Sequence, residues 1–209
     1  MKKLMITLSI ALFFACTSMA QDRPNIVFIM ADDMGGRDLP AYGNQFNEAP
    51  NIDKLASQGI QFSNAYAAPV CSPTRASIQS GQYPARVGIF DFITGHWRPW
   101  EKVTVPIHRV QHLPDDIVTI GDAMQAAGYK TGYFGKWHLG NDAKHLPDAR
   151  GYDKAHMYAG GGFYQPRFIP EYKSPEDSRL SEILTDMGID FIKENKKEPF
   201  FLFISHYDV

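Results

Sequence analysis

Asn25-Ile26-Val27-Phe28-Ile29-Met30 is a short, β-rich apolar run that stops abruptly at Asp32-Asp33, with Gly35-Gly36 just beyond. A run of this length without polar alternation predicts a strand buried on both faces, the pattern of a parallel sheet between helical layers. Outward from it, the same grammar recurs. Residues 51–58 open on an Asn, carry Asp53 in the first turn and stop before Gly59, which predicts a helix. Ile60-Gln61-Phe62-Ser63-Asn64-Ala65-Tyr66 then alternates as a half-buried strand does. A helix over 119–127 closes at Gly128 and leads into a strand over 129–136. Leu180, Ile183, Leu184, Met187 and Phe191 mark one helical face ahead of Phe200-Phe201-Leu202-Phe203-Ile204. These helix-to-strand units predict an α/β fold with a mostly parallel sheet flanked by helices. Residues 90–114, which include His96, Trp97, Arg98 and Trp100, and residues 160–170 lack a period and read as loops that face substrate.

At 209 residues and 44% hydrophobic, the chain is long and apolar enough to bury one sizeable core. Its formal charge of −2, with Lys and Arg scattered, provides no basic stripe to neutralise a phosphate backbone, so nucleic acid is not an expected partner.

The first twenty residues are of another kind. Lys2 and Lys3 precede an apolar run from Leu4 to Ala15, and small residues at Ser18 and Ala20 precede Gln21. Residues 1–20 therefore read as a signal peptide, too short in its apolar part to be a spanning helix, and the expected location is the periplasm or the exterior. A second reading makes Cys16, after Phe13-Phe14-Ala15, a lipid-attachment cysteine and the product a membrane-anchored lipoprotein. Either way Cys71 is the one free thiol of an exported chain, where an unpaired cysteine is an oxidation liability and needs a reason.

Asp32 and Asp33 lie past the carboxyl end of the first strand, where open α/β sheets place their ligand crevices, and adjacent carboxylates suit Ca²⁺ or Mg²⁺. Asp-Asp before Gly also ends many strands as a solvated turn. Cys71-Ser72-Pro73-Thr74-Arg75 opens a predicted helix, with Ser72 able to cap it and Pro73 suited to its first turn. The helix end and Arg75 would favour an anion, either a thiolate at Cys71 or a bound sulfate or phosphate. Cys71 reads equally as a small buried residue or as a thiolate nucleophile. Lys136 and His138, two apart at a predicted strand end, would project to one face and converge on one anion; the plainer readings are a solvated strand end and a core histidine.

Taken together, Cys71-Ser72-Pro73-Thr74-Arg75 followed by Ser80-Gly81 resembles the C-x-P-x-R…T-G signature of type I sulfatases. Asp32-Asp33 upstream and Gly135-Lys136-Trp137-His138-Leu139-Gly140 downstream stand in that family's order. The resemblance spans residues 23–209 and departs from the signature at Ser80, where Thr is usual. It implies an alkaline-phosphatase-like sulfatase core, of which residues 21–209 are the N-terminal portion of the catalytic domain. It further implies that Cys71 is converted to formylglycine by a modifying enzyme, and that Asp32, Asp33 and residue 71 contribute to a Ca²⁺ site, Mg²⁺ being the lesser choice. Arg75, Lys136 and His138 are implied to counter the sulfate charge, with His138 as general acid. The family's further metal ligands, a second lysine and another histidine fall beyond Val209, so the chain alone is expected to be inactive and poorly folded. The substrate implied is a sulfate ester, with the aromatic loop leaning toward sulfated carbohydrate. The alternatives are a phosphonate or phosphate ester hydrolase of the same superfamily and a non-catalytic fragment.

Overall fold

The computed structural model describes residues 23–93 and 111–207. Strands β1 (Ile26–Met30), β2 (Lys130–Gly135), β3 (Lys154–Tyr158), β4 (Phe168–Ile169) and β5 (Phe200–Ser205) form a sheet in the order β1-β5-β2-β3-β4. The pairs β1/β5, β5/β2 and β2/β3 are parallel, and β3/β4 is antiparallel. The α/β, mostly parallel architecture is therefore as expected.

The apolar run of β5 supplies both layers of the core. Phe201 and Phe203 join Tyr133, Trp137, Tyr152 and Met157 on one side. Phe200, Leu202 and Ile204 join Phe134, Leu184 and Phe191 on the other. Period two thus splits one continuous run between two cores, as a strand between helical layers requires. Helix α5 (Leu180–Asn195) covers the second side through the face predicted for it, Leu180, Ile183, Leu184, Met187 and Phe191 all being buried. On the first side lie α2 (Cys71–Ser80) and α4 (Ile120–Ala126). Helix α4 starts at a capping box in which Thr119 Oγ1 accepts from the Asp122 N–H while the Asp122 carboxylate accepts from the Thr119 N–H.

Three expectations need correction. Strand β1 is not buried on both faces: Ile26, Phe28 and Met30 pack into the core, but Val27 and Ile29 are 45% and 62% exposed. It is an edge of the described sheet, and nothing among the described residues packs on its outer face. Residues 60–66, after α1 (Pro50–Gln58), form no strand, and Ile60, Phe62 and Tyr66 are exposed. Alternation alone does not make a strand where no neighbouring strand pairs with it and no surface buries its apolar face. Within the loop predicted over 160–170, Phe168–Ile169 pairs with Met157–Tyr158. Residues 1–20 and the aromatics His96, Trp97 and Trp100 lie outside the described residues, as does Cys16. Among the described residues no helix is long and apolar enough to cross a membrane.

Gly135 ends β2 at φ +113, and a Cβ there would stand 1.9 Å from the Ser205 carbonyl oxygen. Both the left-handed backbone and the close approach of β5 demand glycine. Gly135→Ala is expected to destabilise the fold by about 3 kcal/mol, read from denaturant or thermal unfolding. A loss under about 0.5 kcal/mol, the size of an ordinary surface change, would contradict this account of the β2–β5 contact.

Candidate active site

Met30, Ser205 and Gly135 are register partners across β1, β5 and β2, so three neighbouring parallel strands end side by side. Asp32 follows the first, His206 the second and Lys136 the third. The N-terminus of α2 comes to this edge and brings Cys71 and Arg75.

Arg75 ties the parts together. One terminal nitrogen donates to Asp32 Oδ1 at 2.9 Å, and the other donates to the Lys136 carbonyl and to Ser205 Oγ. Ser205 Oγ in turn donates to the same Lys136 carbonyl at 2.8 Å, as does the Tyr133 hydroxyl at 2.6 Å. Arg75 is buried, lines the cavity beside Cys71 and keeps Nε without a hydrogen-bond partner. It positions Asp32 and the Lys136 backbone.

Lys136 Nζ donates to Asp32 Oδ2 and sits 4.5 Å from the centre of the Tyr207 ring. Lys136 and His138 do converge, though not through strand periodicity. Strand β2 has ended at Gly135, and a turn with His138 at φ 60 and Gly140 at φ +126 redirects both side chains. Asp32 thus answers both cations, and with Asp33 in the same lining the four formal charges balance. Burial alone would raise the Asp32 pKa, but hydrogen bonds from Lys136 and Arg75 outweigh it and hold the carboxyl below its ordinary 3.8.

Cys71 is the first residue of α2, with Val70 as the extended N-cap. Ser72 is therefore inside the helix and does not cap it. Its hydroxyl donates to the His138 carbonyl at 2.9 Å and accepts from the Ile93 N–H at 3.1 Å. His138 Nε2 donates to the Ile93 carbonyl, which can only accept, so in the neutral ring Nδ1 carries the lone pair. That Nδ1 stands 3.2 Å from Cys71 Sγ. Burial first, and the Lys136 charge second, hold the His138 pKa below its ordinary 6.5. The lone pair of the neutral imidazole thus faces residue 71.

Asp32, Asp33, Cys71 and Arg75 line a cavity of about 240 Å³, while Lys136 and His138 line an adjoining one of about 530 Å³ with Tyr158 and Tyr207. Asp33, exposed and at φ 57, is free to turn toward an ion. Two carboxylates and position 71 fit one side of a hard-cation shell, and each Asp32 oxygen keeps a lone pair beyond the one its cation uses. Ca²⁺ takes six to eight oxygens.

The Sulfatase family model matches residues 24–208. The chain belongs to the sulfatase family. It is 34% identical to an arylsulfatase of Hemicentrotus pulcherrimus over 88% of this chain and 36% of that protein. It is 32% identical to the N-acetylgalactosamine-6-sulfatase of Homo sapiens over 88% of this chain and 39% of that one. The crystal structure of Ps i-CgsB superposes with a TM-score of 0.75 at 28% identity, covering 89% of this chain and 45% of its own. BT4656, solved with its substrate D-glucosamine-2-N,6-O-disulfate, superposes with a TM-score of 0.70 at 28% identity, over 88% and 34%. The chain thus spans about two fifths of the curated relatives it matches along its length.

The structure brings Asp32, Cys71, Lys136 and His138 together. It adds Ser205, Tyr133 and Tyr207, which belong to no motif in the sequence.

Asp32 is the group whose loss is most telling. Asp32→Asn leaves the buried Arg75 guanidinium without its counter-charge, and a loss of about 3 kcal/mol is expected at neutral pH. Because the folded-state pKa is depressed, this contribution is complete above 3.8, the ordinary value, and fades as pH falls through the lower folded value. Denaturant unfolding at pH 7 and at successively lower pH measures the gap between wild type and variant; a gap that does not narrow in acid refutes the pairing.

Proposed function

We propose that the chain carries the nucleophile-bearing part of a sulfuric ester hydrolase acting on sulfated glycans, with residue 71 converted from cysteine to formylglycine by a modifying enzyme. The observation that carries this reading is the placement of Cys71 at a helix N-terminus, 3.2 Å from His138 Nδ1 and beside a crevice lined by Arg75, Lys136 and two carboxylates. Family membership supports the reaction class. The disulfated glucosamine bound by BT4656 supports a sulfated sugar as the substrate class. Residues 1–20 are assigned as a signal peptide that directs the protein to the periplasm or beyond, with lipid attachment at Cys16 as the alternative processing.

Hydrated, the aldehyde supplies one hydroxyl oxygen that attacks sulfur while the ester S–O bond breaks and the alcohol leaves, taking up the proton that residue 71 gives up; deprotonation of the second hydroxyl then re-forms the aldehyde and expels inorganic sulfate. A divalent cation, Ca²⁺ in preference to Mg²⁺, held by Asp32, Asp33 and residue 71, would lower the cost of negative charge on the attacking and sulfate oxygens. Lys136 faces the same anion with its ammonium group while Asp32 fixes its direction. Arg75 holds Asp32 and the Lys136 backbone, so the charges are in place before substrate arrives. His138 Nδ1 takes the proton from residue 71, and the Ile93 carbonyl keeps the ring in the tautomer that permits this. Ser80, where the family signature has Thr, donates its hydroxyl to the Ala76 carbonyl and accepts from the Gln82 N–H. A threonine hydroxyl would do the same.

Mass analysis of the peptide ending at Arg75 should find the lighter aldehyde in place of cysteine, reactive toward a hydrazine probe. With the chain extended to the length of its relatives, aryl sulfate should be hydrolysed well ahead of aryl phosphate, and Cys71→Ala should abolish the activity. Intact thiol throughout, or a preference for phosphorus, overturns the reading. Since His138 is held below pH 6.5, the acid limb of kcat/KM is expected below that value. His138→Ala is expected to cost on the order of 10²–10⁴-fold and to remove the limb. A limb that survives in the variant belongs to another group.

A further inference from the structure

His112, Asp115 and His145 come together next to Gly140, and one ligand atom from each lies within 4.8 Å of the others. None of them lines the cavities around residue 71. We propose that these three residues bind a divalent transition-metal ion, Zn²⁺ by the chemistry of its donors, and that the ion staples residues 112–115 and 142–145 to the turn that carries His138.

The argument rests on His145. Its ring is 2% exposed, with Nε2 at 2.9 Å from Asp115 Oδ1. Nδ1 is buried with no hydrogen-bond partner, and Asp142 Oδ2 lies 3.6 Å away. A neutral imidazole has one N–H, so it can serve one of these carboxylates and must turn a bare lone pair on the other. A metal resolves the conflict: Nε2 gives its lone pair to an ion shared with Asp115, and the N–H moves to Nδ1, toward Asp142. A ligating histidine whose second nitrogen faces a carboxylate is the arrangement that fixes ring orientation in zinc sites.

The other two donors fit the same scheme. His112 Nδ1 stands 3.9 Å from Asp115 Oδ1 and 3.0 Å from the Leu113 carbonyl, which it must leave to serve as a ligand. Lys144 holds Asp115 Oδ2 at 2.9 Å and leaves Oδ1 to the ion. Two imidazoles and a carboxylate are a zinc donor set, with the fourth position left to water. The His112 and His145 rings are stacked 3.7 Å apart and 10° from parallel, so their in-plane lone pairs do not converge. Binding therefore turns His112, one-third exposed, out of the stack.

The location defines the consequence. Trp137 Nε1 donates to the His145 carbonyl at 2.8 Å, and the Leu113 N–H donates to the Leu139 carbonyl at 2.9 Å. Both neighbours of His138 are thus anchored on the segments that bear the cluster. A Cβ on Gly140 would stand 2.6 Å from His145 Cβ and 2.8 Å from His112 Cβ, so the turn packs directly on it.

The test titrates Zn²⁺ into the purified Cys71→Ser chain freed of residues 1–20, which therefore carries no thiol, against a chromophoric chelator. One equivalent is expected to bind, and a tenfold excess of Ca²⁺ should leave it in place. His112→Ala and Asp115→Asn, both at accessible positions, should each weaken binding by on the order of tenfold or more and remove the zinc-dependent rise in Tm. Failure of the Cys71→Ser chain to bind Zn²⁺, as when a protonated His145 alone serves both carboxylates, overturns the proposal. So does unchanged affinity in both variants, which would place the ion elsewhere.

Discussion

The buried guanidinium of Arg75 is the interaction on which the site depends. A charge at 2% exposure persists only if it is paired. Asp32 supplies the opposite charge, while Ser205 Oγ and the Lys136 carbonyl supply acceptors. Those partners belong to the ends of β1, β5 and β2, so a single side chain from α2 ties three strand ends and a helix into one rigid edge. Asp32 is then fixed for Lys136, and Lys136 is fixed for whatever anion enters.

The turn from Gly135 to Gly140 converts that rigidity into direction. Strand geometry would have sent Lys136 and His138 along the sheet, but left-handed backbone at Gly135, His138 and Gly140 brings them round to Asp32 and residue 71. A non-glycine at positive φ carries strain, and here the Ser72 and Ile93 hydrogen bonds hold His138 against it. A separate bond, from Nε2 to the Ile93 carbonyl, selects its tautomer, so the state of the ring is a consequence of where the Ile93 backbone lies. The metal cluster proposed at His112, Asp115 and His145 would brace this turn from its other neighbours.

Much of the fold was legible because it rests on long apolar patterns. The face of α5 and the run of β5 were read correctly, since burial in a two-sided sheet leaves few other arrangements for such sequences. Residues 60–66 misled for the opposite reason: their alternation is real, but pairing is a property of neighbours, and none is present there among the described residues. Strand β1 carries the composition of a buried strand, yet Val27 and Ile29 are open on one face, and composition does not report what covers a surface. The short strands β3 and β4 gave little signal because a few residues cannot establish a period.

By itself, the sequence determined the α/β class, the residues that belong to the site and, through three ordered motifs, membership in the sulfatase family. Motifs do this because each residue type is needed for its chemistry wherever it falls in the chain. Tertiary structure alone decided which partners each residue meets. Arg75 ties Asp32 to the Lys136 backbone; His138 turns Nδ1 to residue 71; His112 and His145, silent in the sequence, meet across a gap of more than thirty residues. The physical reason is that charge, tautomer and access are set by partners brought from distant segments, and only packing says which partners those are.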